Sequence, residues 1–156
     1  NYFFDISSFF RNDSLKILSD FYVEKLIGEK LDFNVIFGPA YKGIPLASAV
    51  GISYYEKTGK IIDLVFDRKE IKDHGEGGSL IGTLKSKKVL IIDDVLTAGT
   101  AIKNSLKIIK NEKADLSAVV VALDREEKDE NNNFYRDNLN KEGIKIFSIA
   151  KISELN

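Results

Sequence analysis

Five short apolar runs punctuate the chain: Val35–Phe37, Ile61–Phe66, Val89–Ile92, Ala118–Leu123 and Ile144–Ile149. They are rich in β-branched residues and lack strict alternation, which predicts strands covered on both faces. Between them, Leu15, Leu18, Tyr22 and Leu26 recur at helical spacing, and Leu46–Tyr55 and Ala101–Ile109 carry similar stripes. Strands alternating with helices imply an α/β fold: a five-stranded, mainly parallel sheet with helices on both faces, built from right-handed βαβ units. In such sheets ligands gather at the carboxyl ends of the strands, so the loops just after them matter most.

Three segments break the rhythm. Lys72–Gly78 is polar, glycine-rich and without apolar periodicity. Lys85-Ser86-Lys87-Lys88 is a short basic run that reads as a solvated face. Glu126–Asn133 is charged and asparagine-rich, the mark of an exposed loop. There is no internal repeat and no linker, so residues 1–156 read as one domain. With 44% hydrophobic residues in 156, that domain can bury a sizeable core. The net charge of -1 gives no reason to expect a nucleic-acid or membrane partner. The absence of cysteine excludes disulfides, thiol nucleophiles and Cys-based metal sites. No apolar stretch approaches the roughly 20 residues of a membrane span, and the chain reads as cytoplasmic.

The chemistry concentrates after the strands. Val89-Leu90-Ile91-Ile92 leads into Asp93-Asp94-Val95-Leu96 and then Thr97-Ala98-Gly99-Thr100-Ala101. Adjacent carboxylates near a core are costly unless hydroxyls, cations or metal offset them. The small-residue loop offers hydroxyls and unobstructed N–H groups at a helix start, a seat for phosphate. Plain helix capping would need one such residue and explains neither the acid pair nor the glycine.

After Phe37 comes Gly38-Pro39-Ala40-Tyr41-Lys42-Gly43-Ile44-Pro45, which holds both prolines of the chain. Gly38 and Gly43 permit backbone conformations closed to other residues. Such a loop can present amides and one lysine charge to pyrophosphate, or be an ordinary strand-to-helix turn; the residues alone do not choose. Asp67–Gly78 sets Arg68, Lys69, Lys72 and His74, the only histidine, beside three glycines. Taken singly these are surface groups. Asp124-Arg125 ends the fourth apolar run, where a guanidinium could pair bidentately with a carboxylate. Tyr2-Phe3-Phe4 looks like the interior of a strand, its rings ordinary core or pocket lining.

Together these motifs resemble the type I phosphoribosyltransferases, and the Lys72-Asp73-His74-Gly75 string is similar to the lid of the orotate enzymes. The resemblance runs from Tyr2 to about Ile149. It implies transfer of the 5-phosphoribosyl group from phosphoribosyl pyrophosphate to orotate, giving orotidine 5′-monophosphate, the pyrimidine precursor of UMP. Asp93 and Asp94 would bind the ribose hydroxyls, and Thr97, Ala98, Gly99, Thr100 and Ala101 the 5′-phosphate. Tyr41, Lys42, Arg68, Lys69, Lys72 and His74 would meet pyrophosphate, with Lys72, His74, Asp93 and Asp94 as the catalytic set. Phe3, Phe4 and Arg125 would hold orotate. The resemblance further implies a cis Ala40–Tyr41 peptide, Mg²⁺ carried by the substrate near Asp93 and Asp94, and a homodimer with shared sites. A decarboxylase for orotidine monophosphate would be a fitting partner.

The family's N-terminal hood segment and C-terminal helical extension have no counterpart between Asn1 and Asn156, so the hood is expected to be incomplete. Two rivals keep the same phosphate site: a purine-salvage phosphoribosyltransferase with another base pocket, and a non-catalytic regulator without the lid.

Overall fold

Side chains alternate across the central strands, and each face receives its own core. In the computed structural model, which describes residues 4–72 and 78–155, Ile36, Leu90, Ile92, Ala118, Val120 and Ala122 point to one side. Val35, Phe37, Val89, Ile91, Val119 and Val121 point to the other. This is the period-two consequence of a pleated strand buried on both faces. The first face is covered by α1 (Asn12–Gly28) and α2 (Gly43–Thr58), through Leu18, Tyr22, Val23, Leu26, Leu46 and Val50. The second is covered by α3 (Thr100–Asn111) and the short α4 (Tyr135–Lys141), through Ile102, Ile109 and Leu139.

The strands are β1 (Val35–Gly38), β2 (Asp63–Lys72), β3 (Gly78–Ile81), β4 (Lys88–Leu96), β5 (Asp115–Asp124) and β6 (Ile146–Lys151). They form one sheet in the order β3-β2-β1-β4-β5-β6. All neighbours are parallel except β2 and β3.

The mainly parallel α/β architecture matches the expectation, with six strands in place of five. The additional strand, β3, is four residues long and antiparallel on β2. Its Gly-Ser start gives no apolar run, so only its partner reveals it. Beyond the last β1 rung, Gly38 with Phe66, β2 continues to Lys72 and pairs with β3 alone among the described residues. The polar segment expected to be irregular is therefore entered and left by paired strands.

One further expectation changes, and Gly38 proves to be glycine for a different reason. Phe4 lies outside any strand, just before a 3₁₀ turn at Ile6–Phe9 in which the Asp5 carboxylate accepts from the Ser7 amide at 3.0 Å. Gly38 and Gly43 do not have positive φ. A Cβ on Gly38 would stand 2.5 Å from the Gly43 carbonyl oxygen and 2.7 Å from the Ala47 Cβ. Glycine is required there by close approach of the strand end to α2.

Candidate functional site

The register brings the acid pair to the sheet's carboxyl edge. The β1–β4 ladder ends at Phe37 with Ile91, while β4 continues beside β5, Asp93 opposite Val121 and Leu96 opposite Asp124. Asp93 and Asp94 are half-buried. The Asp94 amide donates to Asp93 Oδ1 at 2.9 Å, which holds the first carboxylate against the backbone of the next residue. Burial, and then the Asp94 charge, push the Asp93 carboxyl up to about 7. From below, the phenol of Tyr22 in α1 donates to the Asp93 carbonyl at 2.7 Å. Burial and the nearby acids raise that phenol well above its usual range, so it remains a donor.

The loop after β4 turns at Gly99, in the left-handed region at φ 77° and packed against Leu139. Gly99 is the N-cap of α3, and no side chain makes a capping hydrogen bond there. The alternative in which the acid pair and Thr100 merely cap the helix therefore fails. Thr97, Ala98, Thr100 and Ala101 are exposed around a helix start whose first amides are open to an anion.

The β1–α2 loop stands alongside. Its Ala40–Tyr41 peptide is cis, as the resemblance implied. The Ala40 amide donates to the carboxylate of Asp67 on β2, so the loop is tied to the root of the β2–β3 hairpin. Tyr41 and Lys42 are exposed, the Lys42 amine 3.9 Å from Asp5. Arg68 is half-buried on β2, with one guanidinium nitrogen buried and lacking a hydrogen-bond partner among the described residues. Lys69 is exposed on the same strand. Lys72 ends β2, while His74 and Phe3 lie outside the described residues. Phe4 packs on the α1–α2 core near Phe9, at 6.4 Å between ring centres.

At the end of β5, the Arg125 amide donates to the Leu96 carbonyl at 3.2 Å, so the candidate base residue adjoins the Thr97–Ala101 loop. Its neighbour Asp124 is buried and pairs with Arg136 of α4. Sequence reasoning missed Tyr22, Asp67, Asp124 and Arg136 as supports of the site. Tyr22 looked like one more apolar position of a helical stripe, and Arg136 belongs to a helix too polar to signal itself.

Among the described residues no group of three or more metal-ligating side chains converges. Two half-buried carboxylates do fit Mg²⁺, which commonly takes one or two carboxylates and completes its shell with substrate oxygens and water. Among the same residues no helix is long and apolar enough to cross a membrane.

A mainly parallel sheet, an acid pair at its carboxyl edge and an open helix start after a small-residue loop define a phosphoribosyltransferase. The family model of the phosphoribosyl transferase domain matches residues 5–151. The chain is 42% identical over 154 residues to orotate phosphoribosyltransferase of Legionella pneumophila strain Paris, covering 99% of this chain and 73% of that one. It is 40% identical over 155 residues to the enzyme of the same name from Salmonella paratyphi A, with the same coverage. The crystal structure of the Francisella tularensis orotate phosphoribosyltransferase superposes with a TM-score of 0.85 at 31% identity, over 98% of this chain and 74% of that one. The chain belongs to the orotate phosphoribosyltransferase family. Its reaction is transfer of the phosphoribosyl group from phosphoribosyl pyrophosphate to orotate.

Proposed function

We propose that this reaction is divided among three loops at the carboxyl edge of the sheet. The observation that carries the division is the acid pair running directly into the uncapped start of α3. A 5′-phosphate at that helix start, held by the amides and hydroxyls of Thr97–Ala101, leaves the ribose over Asp93 and Asp94. Their carboxylates accept from the two ribose hydroxyls, which offsets the like charge that burial makes costly. Pyrophosphate lies toward Tyr41, Lys42, Arg68 and Lys69. Lys72 and His74, of the lid-like Lys72–Gly78 segment, meet it across the dimer.

Orotate binds between the N-terminal aromatics and Arg125, whose guanidinium pairs with its carboxylate. The bond from the anomeric carbon to pyrophosphate breaks with the electron pair leaving on oxygen. The ring nitrogen of orotate then bonds from the opposite face, with inversion, and its N–H proton leaves with the pyrophosphate. The chain's contribution is positioning and charge, with no covalent nucleophile. Mg²⁺, held by Asp93, Asp94 and the substrate's own oxygens, would neutralise charge on the departing pyrophosphate. Closure excludes water that would hydrolyse the activated ribosyl centre. The working unit is a homodimer in which each hairpin serves the neighbouring site.

Asp94→Asn tests the ribose assignment. Calorimetry should show weaker phosphoribosyl pyrophosphate binding by a folded protein. Unchanged affinity would move the ribose elsewhere.

A further inference from the structure

The Arg125 guanidinium does not carry an idle charge. Its Nε lies 3.2 Å from Glu127 Oε1, in an ion pair between two partly exposed side chains. The backbone builds this pair in. The Arg125 amide is held by the Leu96 carbonyl at 3.2 Å, and the Glu126 amide by the Asp124 carboxylate at 2.8 Å. The Glu127 carbonyl accepts from the Tyr135 amide at 3.0 Å. Glu126 itself sits at φ 53°, the turn that returns Glu127 toward Arg125. Asp124 is anchored in turn by Arg136. With each residue of the turn pinned, Glu127 can leave Arg125 only by rotating its side chain into solvent.

We propose that Glu127 is an internal counter-ion that competes with the carboxylate of the base for Arg125. The inference rests on the reading of Arg125 as the partner of that carboxylate. Binding is then an exchange of one carboxylate for another on the same guanidinium. The guanidinium is never left uncompensated, and the affinity for the base falls by the strength of the pair given up. The same exchange run backwards helps the product leave, because orotidine 5′-monophosphate carries the same carboxylate and Glu127 is held ready to replace it. A partly exposed pair is a weak competitor, which suits a group that has to give way in every turnover.

Glu127→Gln keeps the size of the side chain and removes its charge. Steady-state assays should show the KM for orotate falling roughly two- to fivefold, the range for an exposed to half-exposed pair. The KM for phosphoribosyl pyrophosphate should not move. Calorimetry should show orotidine 5′-monophosphate binding more tightly by a similar factor. Arg125→Ala and the double variant complete the cycle, and on the Arg125→Ala background Glu127→Gln should do nothing. If Arg125→Ala raises the orotate KM but Glu127→Gln leaves it unchanged or raises it, the competition is refuted and the base assignment stands. If Arg125→Ala spares orotate, the base assignment fails first and takes the inference with it.

Discussion

The hydroxyl of Tyr22 in α1 donates to the backbone carbonyl of Asp93 at 2.7 Å, joining the first helix to the acid pair. It does so where β1 no longer offers a rung, since the β1–β4 ladder stops at Phe37 and Ile91. Tyr22→Phe removes one hydrogen bond and no packing. A small loss of stability, about 1 kcal/mol, should accompany a severalfold higher KM for phosphoribosyl pyrophosphate. A lower melting temperature with unchanged KM would reduce Tyr22 to a brace for the fold.

Asp93 should make stability depend on pH. Its folded carboxyl titrates near 7, against an ordinary value of 3.8, because burial and Asp94 disfavour the charge. A raised pKa means that the neutral form stabilises the fold. That contribution is complete below pH 4 and is lost as pH rises through 7. Asp93→Asn should therefore match wild type in melting temperature near pH 4 and exceed it above pH 7, by at most about 4 kcal/mol in free energy. Parallel melting curves across this window, without substrate, would contradict the assignment.

Arg125→Ala should raise the KM for orotate far more than that for phosphoribosyl pyrophosphate. A charged hydrogen-bonded pair is worth about 1.5–3 kcal/mol, or on the order of tenfold to a hundredfold. An equal effect on both substrates would mean that Arg125 supports the loop and not the base.

Gly38→Ala should destabilise the protein by roughly 1–3 kcal/mol, since the added methyl meets backbone at 2.5 Å and cannot displace it cheaply. Chemical denaturation measures this directly. A neutral result would require α2 to shift away from β1.

Sharing of the site between subunits is tested by mixing two inactive dimers, Lys72→Ala and Asp94→Asn. After dissociation and reassociation about half the dimers are hybrids. One site of each hybrid then collects both lesions and the other collects neither, so activity should return to roughly a quarter of wild type. If the hairpin serves its own chain, confirmed hybrids stay inactive.

The sequence by itself determined the sheet's parallel core, because strands buried on both faces have to be apolar along their whole length. It also marked Asp93, Asp94 and the Thr97–Ala101 loop, because two acids beside a core and a glycine before a helix are locally conspicuous. Tertiary structure decided what depends on a partner distant in the chain. β3 exists only by pairing with the far part of β2. Gly38 is glycine because Gly43 and Ala47 come close, and not because of its own φ. Tyr22 gives no polar signal within its helix and becomes a donor only because the fold brings the Asp93 carbonyl to its hydroxyl. The Arg125–Glu127 pair likewise follows from a turn at Glu126, whose conformation is set by Asp124, Leu96 and Tyr135 together. Hydrophobic periodicity records which face is buried. It does not record which distant polar groups the fold brings together, and this site's supports rest on such contacts.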